Sequence, residues 1–305
     1  MSYKKLNTEL NGIAPSLHTP FNNDKTIDYL SLKRLLDHTI ETKCSGMLVG
    51  AVAGETQSLS FDEKIELMDF VLSYVENRTP VIIGCSASNQ KERIRFAKAA
   101  KSKGAEWFLV QSPEGINGKQ LVESFNEISS FGPKNLMIQD LSWHDNGLSD
   151  NDILSLYSKV DKFNALKIEV VNSGPKYSRI KKITNNTLHL SGGWAVSGLI
   201  EAIHRGVHSF IPSTMEIIFN DVYNLAINQK IDKARALFNL IIPIISFTHQ
   251  HIDISIKFAK MLRVKEGIFD TNVCRGEISD FDEYQLKEVN ILLEKIISIQ
   301  DKYKD

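Results

Sequence analysis

Eight short apolar runs recur through the first two thirds of the chain, at residues 12–18 (GIAPSLH), 46–50 (GMLVG), 80–85 (PVIIGC), 106–110 (EWFLV), 135–140 (NLMIQD), 164–169 (NALKIE), 187–191 (TLHLS) and 208–212 (HSFIP). Each has the length and boundaries of a buried strand. Stretches of helical periodicity separate them, such as residues 31–43 (SLKRLLDHTIETK) and 88–104, the latter stopped by Gly104. Regular strand–helix alternation predicts a parallel sheet. Eight such units favour a closed (β/α)8 barrel over an open doubly wound sheet, which usually has fewer strands, and the absence of GxGxxG agrees. After residue 214 the strands stop and long amphipathic segments follow. The reading is therefore an α/β chain with a (β/α)8 TIM barrel at 1–214 carrying the active site and a C-terminal helical subdomain at 215–305.

Composition narrows the partners. With 36 basic and 37 acidic residues the formal net charge is −1, so no global field favours nucleic acid or an anionic membrane. A small-molecule substrate is the default expectation. Cys44, Cys85 and Cys274 are odd in number and lack a CxxC spacing, which fits reduced thiols and a cytoplasmic setting. The N-terminus lacks an apolar stretch of signal-peptide length. The most apolar run, 237–247, is too short to span a bilayer, carries Pro243, and reads as a buried helix.

The sixth apolar run contains a lysine. On a strand, Leu166, Ile168 and Val170 share one side, and Ala165, Lys167 and Glu169 share the other. In a closed barrel Lys167 points inward, in the second half of its strand and near the end where active sites of this architecture lie. Burial there disfavours the ammonium and yields a free amine able to attack a ketone and form a Schiff base. The alternative, from spacing alone, is a barrel-core ion pair with Glu169 and no chemistry.

At this point the chain resembles a known family. GIAPSLHTPF, the loop GAVAGETQSLS after strand two, LKIE, and LSGGW after strand seven occur in the order and spacing of the dihydrodipicolinate synthase/N-acetylneuraminate lyase family. The resemblance covers nearly the whole chain and implies a (β/α)8 barrel, usually a homotetramer built as a dimer of dimers. It also implies that Lys167 forms a Schiff base with pyruvate or another 2-oxo acid. By the same resemblance, the backbone of Ala51, Val52 and Ala53 would hold the substrate carboxylate, and Gly192 would line the site. Backbone donors survive side-chain replacement.

Departures from the family pattern accompany the matches. Val52 and Ala53 stand where hydroxyl residues are usual, and neither can relay a proton. Gln139 aligns with the strand-five tyrosine and can orient a substrate but cannot act as acid or base. SPEGING, with Glu114 and Gly115, replaces the stretch that sends a tyrosine across the subunit interface, and His144 stands where synthases have a carboxylate-gripping arginine. Trp143 beside it suits a hydroxylated or apolar substrate tail. Candidate replacements for the relay are Asp140, Glu169 and His18, all expected near the catalytic rim. Glu55, ending the carboxylate loop, is expected to hold that loop.

Other motifs are weaker. HQHID (249–253) offers His249, His251 and Asp253 but is expected far from the rim, and no metal is assigned. KYSRIKK (176–182) reads as a solvated helix face. The functional expectation is a cofactor-free Schiff-base lyase, aldolase or dehydratase acting on pyruvate or a 2-oxo deoxy sugar acid, assembled as a homotetramer or dimer. The alternatives are 4-hydroxy-tetrahydrodipicolinate synthase activity itself, or a degenerate sugar-acid-binding barrel without turnover.

Overall fold

The computed structural model describes residues 4–302, apart from the side chains of residues 194 and 195. Eight parallel strands pair in the order β1-β8-β7-β6-β5-β4-β3-β2. They are β1 (Gly12–Ile13), β2 (Met47–Val49), β3 (Val81–Gly84), β4 (Trp107–Gln111), β5 (Asn135–Leu141), β6 (Phe163–Glu169), β7 (His189–Gly192) and β8 (Ser209–Phe210). A parallel bridge between Ser16 and Leu48 joins the first edge to the last. Leu17 N–H donates to Leu48 O, and Leu48 N–H donates to Pro15 O, each at 2.8 Å. The ring therefore closes, leaving no free sheet edge.

Helices α1 (Tyr29–Glu41), α2 (Phe61–Val75), α3 (Gln90–Ser102), α4 (Gly118–Phe131), α5 (Asp150–Lys159), α6 (Ser173–Ile183) and α7 (Leu199–His204) alternate with the strands. Several start where the sequence supplies a side-chain acceptor for orphan amides: Asp28 caps α1, Ser60 and Glu63 form a capping box on α2, and Asn89 caps α3. Helix α8 (Glu216–Ile227) packs on β1 and α7, so the eighth strand–helix unit is completed by residues beyond 214. Helices α9 (Ile231–Thr248), α10 (Ile252–Lys265) and α11 (Glu283–Lys302) are added to the barrel. The apolar run in α9 is buried along one face through Leu237, Phe238, Ile241, Ile244 and Ile245, while Leu240 and Ile242 stay exposed. Among the described residues no helix is long and apolar enough to cross a membrane.

Strand alternation divides the apolar residues into two cores. Leu166 and Ile168 belong to the large cluster between strands and helices, whereas Leu48, Ile82, Trp107, Leu109, Met137, Ala165 and Ile211 fill the barrel interior. That interior plug is the floor of the site. Two residues further along β5 and β6 from Met137 and Ala165, the inward positions change from apolar to polar.

Candidate active site

The polar layer above the plug consists of Gln139 and Lys167, which are paired in register on adjacent strands. Each is only 5% exposed. One further inward step brings Leu141 and Glu169. Lys167 Nζ lies 2.8 Å from Glu169 Oε2, and Gln139 Nε2 donates to the same oxygen at 2.5 Å. Gln139, Glu169 and Lys167 thus form one connected group of amide, carboxylate and ammonium. Gly193 closes its side: a Cβ there would stand 2.0 Å from Glu169 Oε1 and 2.6 Å from Lys167 Cε. A side chain there would displace the charged pair from its present arrangement.

These residues line a cavity of about 80 Å³ together with Ser16, Ala51, Val52, Ala53 and Trp143. The loop residues Val52–Gly54 form a 3-10 turn in which Gly54 N–H is spent on Ala51 O and Glu55 N–H on Val52 O. Thr19 Oγ1 donates to Gly54 O at 2.7 Å and fixes the turn to the segment after β1. As the first residues of the turn, Val52 and Ala53 have amides without a partner inside it, which suits an anionic ligand in the cavity.

Not every candidate residue gathers here. Asp140 points the other way, between β5 and α6, where its Oδ2 meets Lys176 Nζ at 2.5 Å. Lys176 also donates to Asn146 O at 2.6 Å and Leu148 O at 2.7 Å. Strand alternation forces this outcome, since Gln139 faces inward. Burial raises the Asp140 carboxyl above its ordinary value, with Lys176 opposing. The stretch 176–182 is accordingly no solvated face at its start: Lys176, Tyr177 and Ile180 are buried. His18 is buried outside the cavity lining, and both its ring nitrogens lack a hydrogen-bond partner among the described residues. Burial, then the charges of Arg263 and Lys260, push its pKa down to about 3, so the ring is neutral at pH 7. His144 sits in the exposed loop after β5, away from the cavity lining. Gly192 lies within β7, where its carbonyl accepts Ile211 N–H, and the next residue, Gly193, is the one that faces Lys167.

Several residues missed by sequence reasoning come from the far end of the chain. The end of α9 and the start of α10 fold across the barrel mouth, so Ile245, Thr248, His249, Ile252 and Ser255 line the cavity. This corrects the expectation that HQHID lies far from the rim. Burial lowers the His249 pKa to about 4, leaving a neutral imidazole as donor or acceptor at pH 7. His251 instead caps α10 by accepting from Asp253 N–H at 3.3 Å. The only signal in the sequence was a cluster of polar residues interrupting an apolar helix.

The profile of the dihydrodipicolinate synthetase family matches residues 9–296. The chain belongs to this family. Among individual relatives, a 4-hydroxy-tetrahydrodipicolinate synthase of Salinibacter ruber is 38% identical over 102 residues, covering 33% of this chain and 34% of that protein. One from Lactobacillus acidophilus is 28% identical, covering 49% of each chain. These two alignments therefore span about a third and about half of the relatives' lengths. A synthase of Neisseria meningitidis serogroup C is 26% identical over 239 residues, covering 77% of this chain and 82% of its own. Among solved structures, the dihydrodipicolinate synthase of Rhodopseudomonas palustris superposes with a TM-score of 0.87 at 21% identity, covering 95% of this chain and 99% of that one. At that identity the structural match establishes the barrel and its helical extension. Within the family fold, this chain sets Gln139 and Lys167 in register above the plug, with Glu169 one inward step further along β6.

Proposed function

We propose that this family member is a Schiff-base-forming lyase acting on pyruvate or a 2-oxo acid with an uncharged, hydroxylated tail. The observation that carries this reading is a buried lysine facing a cavity with a carboxylate 2.8 Å away. Glu169 accepts a proton from the Lys167 ammonium, and the freed amine attacks the C2 ketone of the substrate. The carbinolamine hydroxyl then leaves as water. In balance, an ammonium plus a ketone gives a protonated imine plus water. The iminium draws electrons from the adjacent carbon–carbon or carbon–oxygen bond, so no separate cofactor is needed. Gln139 orients the 2-oxo end, and the backbone of residues 51–53 receives the carboxylate.

The relatives' names favour a second reading, 4-hydroxy-tetrahydrodipicolinate synthase activity. Against it, no tyrosine and no arginine is among the described residues lining the 80 Å³ cavity itself; Arg93 and Tyr177 line the adjoining cavities. A neutral amide or imidazole cannot replace a bidentate, permanently charged grip on a second carboxylate, a contact of about 1.5–3 kcal/mol. Borohydride trapping across a panel of 2-oxo acids, followed by peptide mapping, tests the first reading. The adduct is expected on Lys167 and is lost in Lys167→Ala. An unmodified Lys167 at saturating ligand across the panel would overturn the reading. Condensation of pyruvate with aspartate semialdehyde at the rate of a bona fide synthase would establish the second.

A further inference from the structure

The loop that carries Ala51, Val52 and Ala53 is held from below by an ionic latch to the C-terminal helices. Glu55 follows the 3-10 turn with φ +52°, a left-handed conformation that non-glycine residues rarely adopt. Such a conformation costs about 1–3 kcal/mol, which favourable contacts can offset. Here the side chain supplies the hold. Glu55 Oε1 lies 2.5 Å from Lys260 Nζ, and Oε2 accepts Arg275 N–H at 2.7 Å and Gly276 N–H at 2.9 Å.

Lys260 is fully buried, so its ammonium exists there only because it is compensated. In addition to this ion pair it donates to Val273 O at 2.8 Å and stands 4.3 Å over the ring of Phe21. Arg275 stacks over the same ring at 5.2 Å, and its Nη1 reaches Glu63 Oε1 on α2 at 2.6 Å. The latch therefore unites the loops after β1 and β2 with helix α10 and the segment before α11. Lys260 is about two turns along α10 from Ile252 and about one and a half from Ser255, both of which line the cavity. One helix thus closes the mouth of the site and anchors its carboxylate loop.

We propose that Glu55 and Lys260 are positioning residues that set the backbone of residues 51–53, so that affinity for the substrate carboxylate depends on the C-terminal helices. This rests on the Schiff-base reading for its substrate, but the latch itself does not. Neither residue touches the cavity, and both act through the loop.

Two measurements on the full-length protein test the inference. In the first, pyruvate is titrated in the borohydride trapping assay with wild type, Glu55→Gln, Lys260→Met and Lys260→Arg. Glu55→Gln and Lys260→Met should raise the half-saturating pyruvate concentration by about 10- to 100-fold, while the trapping rate at saturation changes much less. Lys260→Arg, which keeps the charge, should recover most of the affinity. A lowered melting temperature with unchanged half-saturation would reduce the latch to a structural role and overturn the inference. The second measurement is amide hydrogen exchange, which needs no ligand. In Glu55→Gln, which is nearly isosteric, residues 51–58 and 270–276 should lose protection together. Unchanged exchange at 51–58 would overturn the inference, even if wild type fails to trap any 2-oxo acid, a result that would remove only the Schiff-base reading.

Discussion

Two lysine–carboxylate pairs with little solvent exposure lie on opposite faces of the sheet, one within β6 and the other between β5 and α6. Inside the barrel, Lys167 meets Glu169 at 2.8 Å beside a cavity. Outside it, Lys176 meets Asp140 at 2.5 Å beneath α6. The outer ammonium uses all three protons, on Asp140, Asn146 O and Leu148 O, and Asp140 Oδ1 in turn accepts Leu148 N–H at 2.8 Å. No proton there is available to a reactant. The inner ammonium has a carboxylate partner and an open side, and that carboxylate is shared with an amide. Burial is common to both pairs; saturation of the donors is what differs, and on the Schiff-base reading it separates structural charge from reactive charge.

Removing the inner carboxylate gives the sharpest contrast. Glu169→Gln should slow imine formation at saturating pyruvate by about 10²–10⁴-fold, the usual contribution of a positioned acid or base. An undiminished rate would assign Glu169 a purely electrostatic role and leave the inner pair resembling the outer one. Breaking the outer pair should act on stability instead. Lys176→Met leaves the Asp140 carboxylate buried without its cation and should lower unfolding free energy by about 3–5 kcal/mol in a urea titration. Trapping at Lys167 should persist below the unfolding transition, and its loss under folded conditions would mean that the two pairs are coupled through β5.

A smaller effect comes from pH. Burial lowers the pKa values of His18 and His189 to about 3, and of His208 to about 4, from an ordinary value of 6.5. The unfolded chain therefore binds more protons than the folded one below pH 6.5, and stability falls as pH falls. The loss begins at the ordinary histidine value, continues down to about pH 3–4, and reaches about 1.4 kcal/mol per pH unit for each histidine. Urea midpoints measured between pH 7 and 5 should decline accordingly. His18→Gln, by removing one of these groups, should flatten the decline, and an unaltered slope would show that His18 is not a source of it.

Much of this was written in local pattern. The eight apolar runs became the eight strands to within a few residues, because a strand buried on both faces must be continuously apolar whatever surrounds it. The inward side of β6 followed from alternation, and so did the neighbourhood of Lys167 and Glu169. The same parity rule was available for β5 and would have turned Asp140 outward once Gln139 was taken as inward. Lys176 could not be read in this way. A lysine at the start of a helix is ordinarily solvated, and only the docking of α6 onto the sheet brings Asp140 to it.

The tertiary structure alone decided what covers the site. Helix periodicity identified α9 and α10 as amphipathic, but periodicity describes which face is apolar and not which surface receives it. Their joint over the barrel mouth places His249 and Ser255 on the cavity, and α10 brings Lys260 to Glu55 across more than two hundred residues of chain. The same holds for Gly193 over Gly192. Both glycines are equally permissive in sequence, and only the position of the Lys167–Glu169 pair, which a Cβ on Gly193 would strike, distinguishes them. Backbone pattern is a local property, so one chain segment can encode it. Contact between segments depends on the packing of the whole barrel, which no single stretch contains.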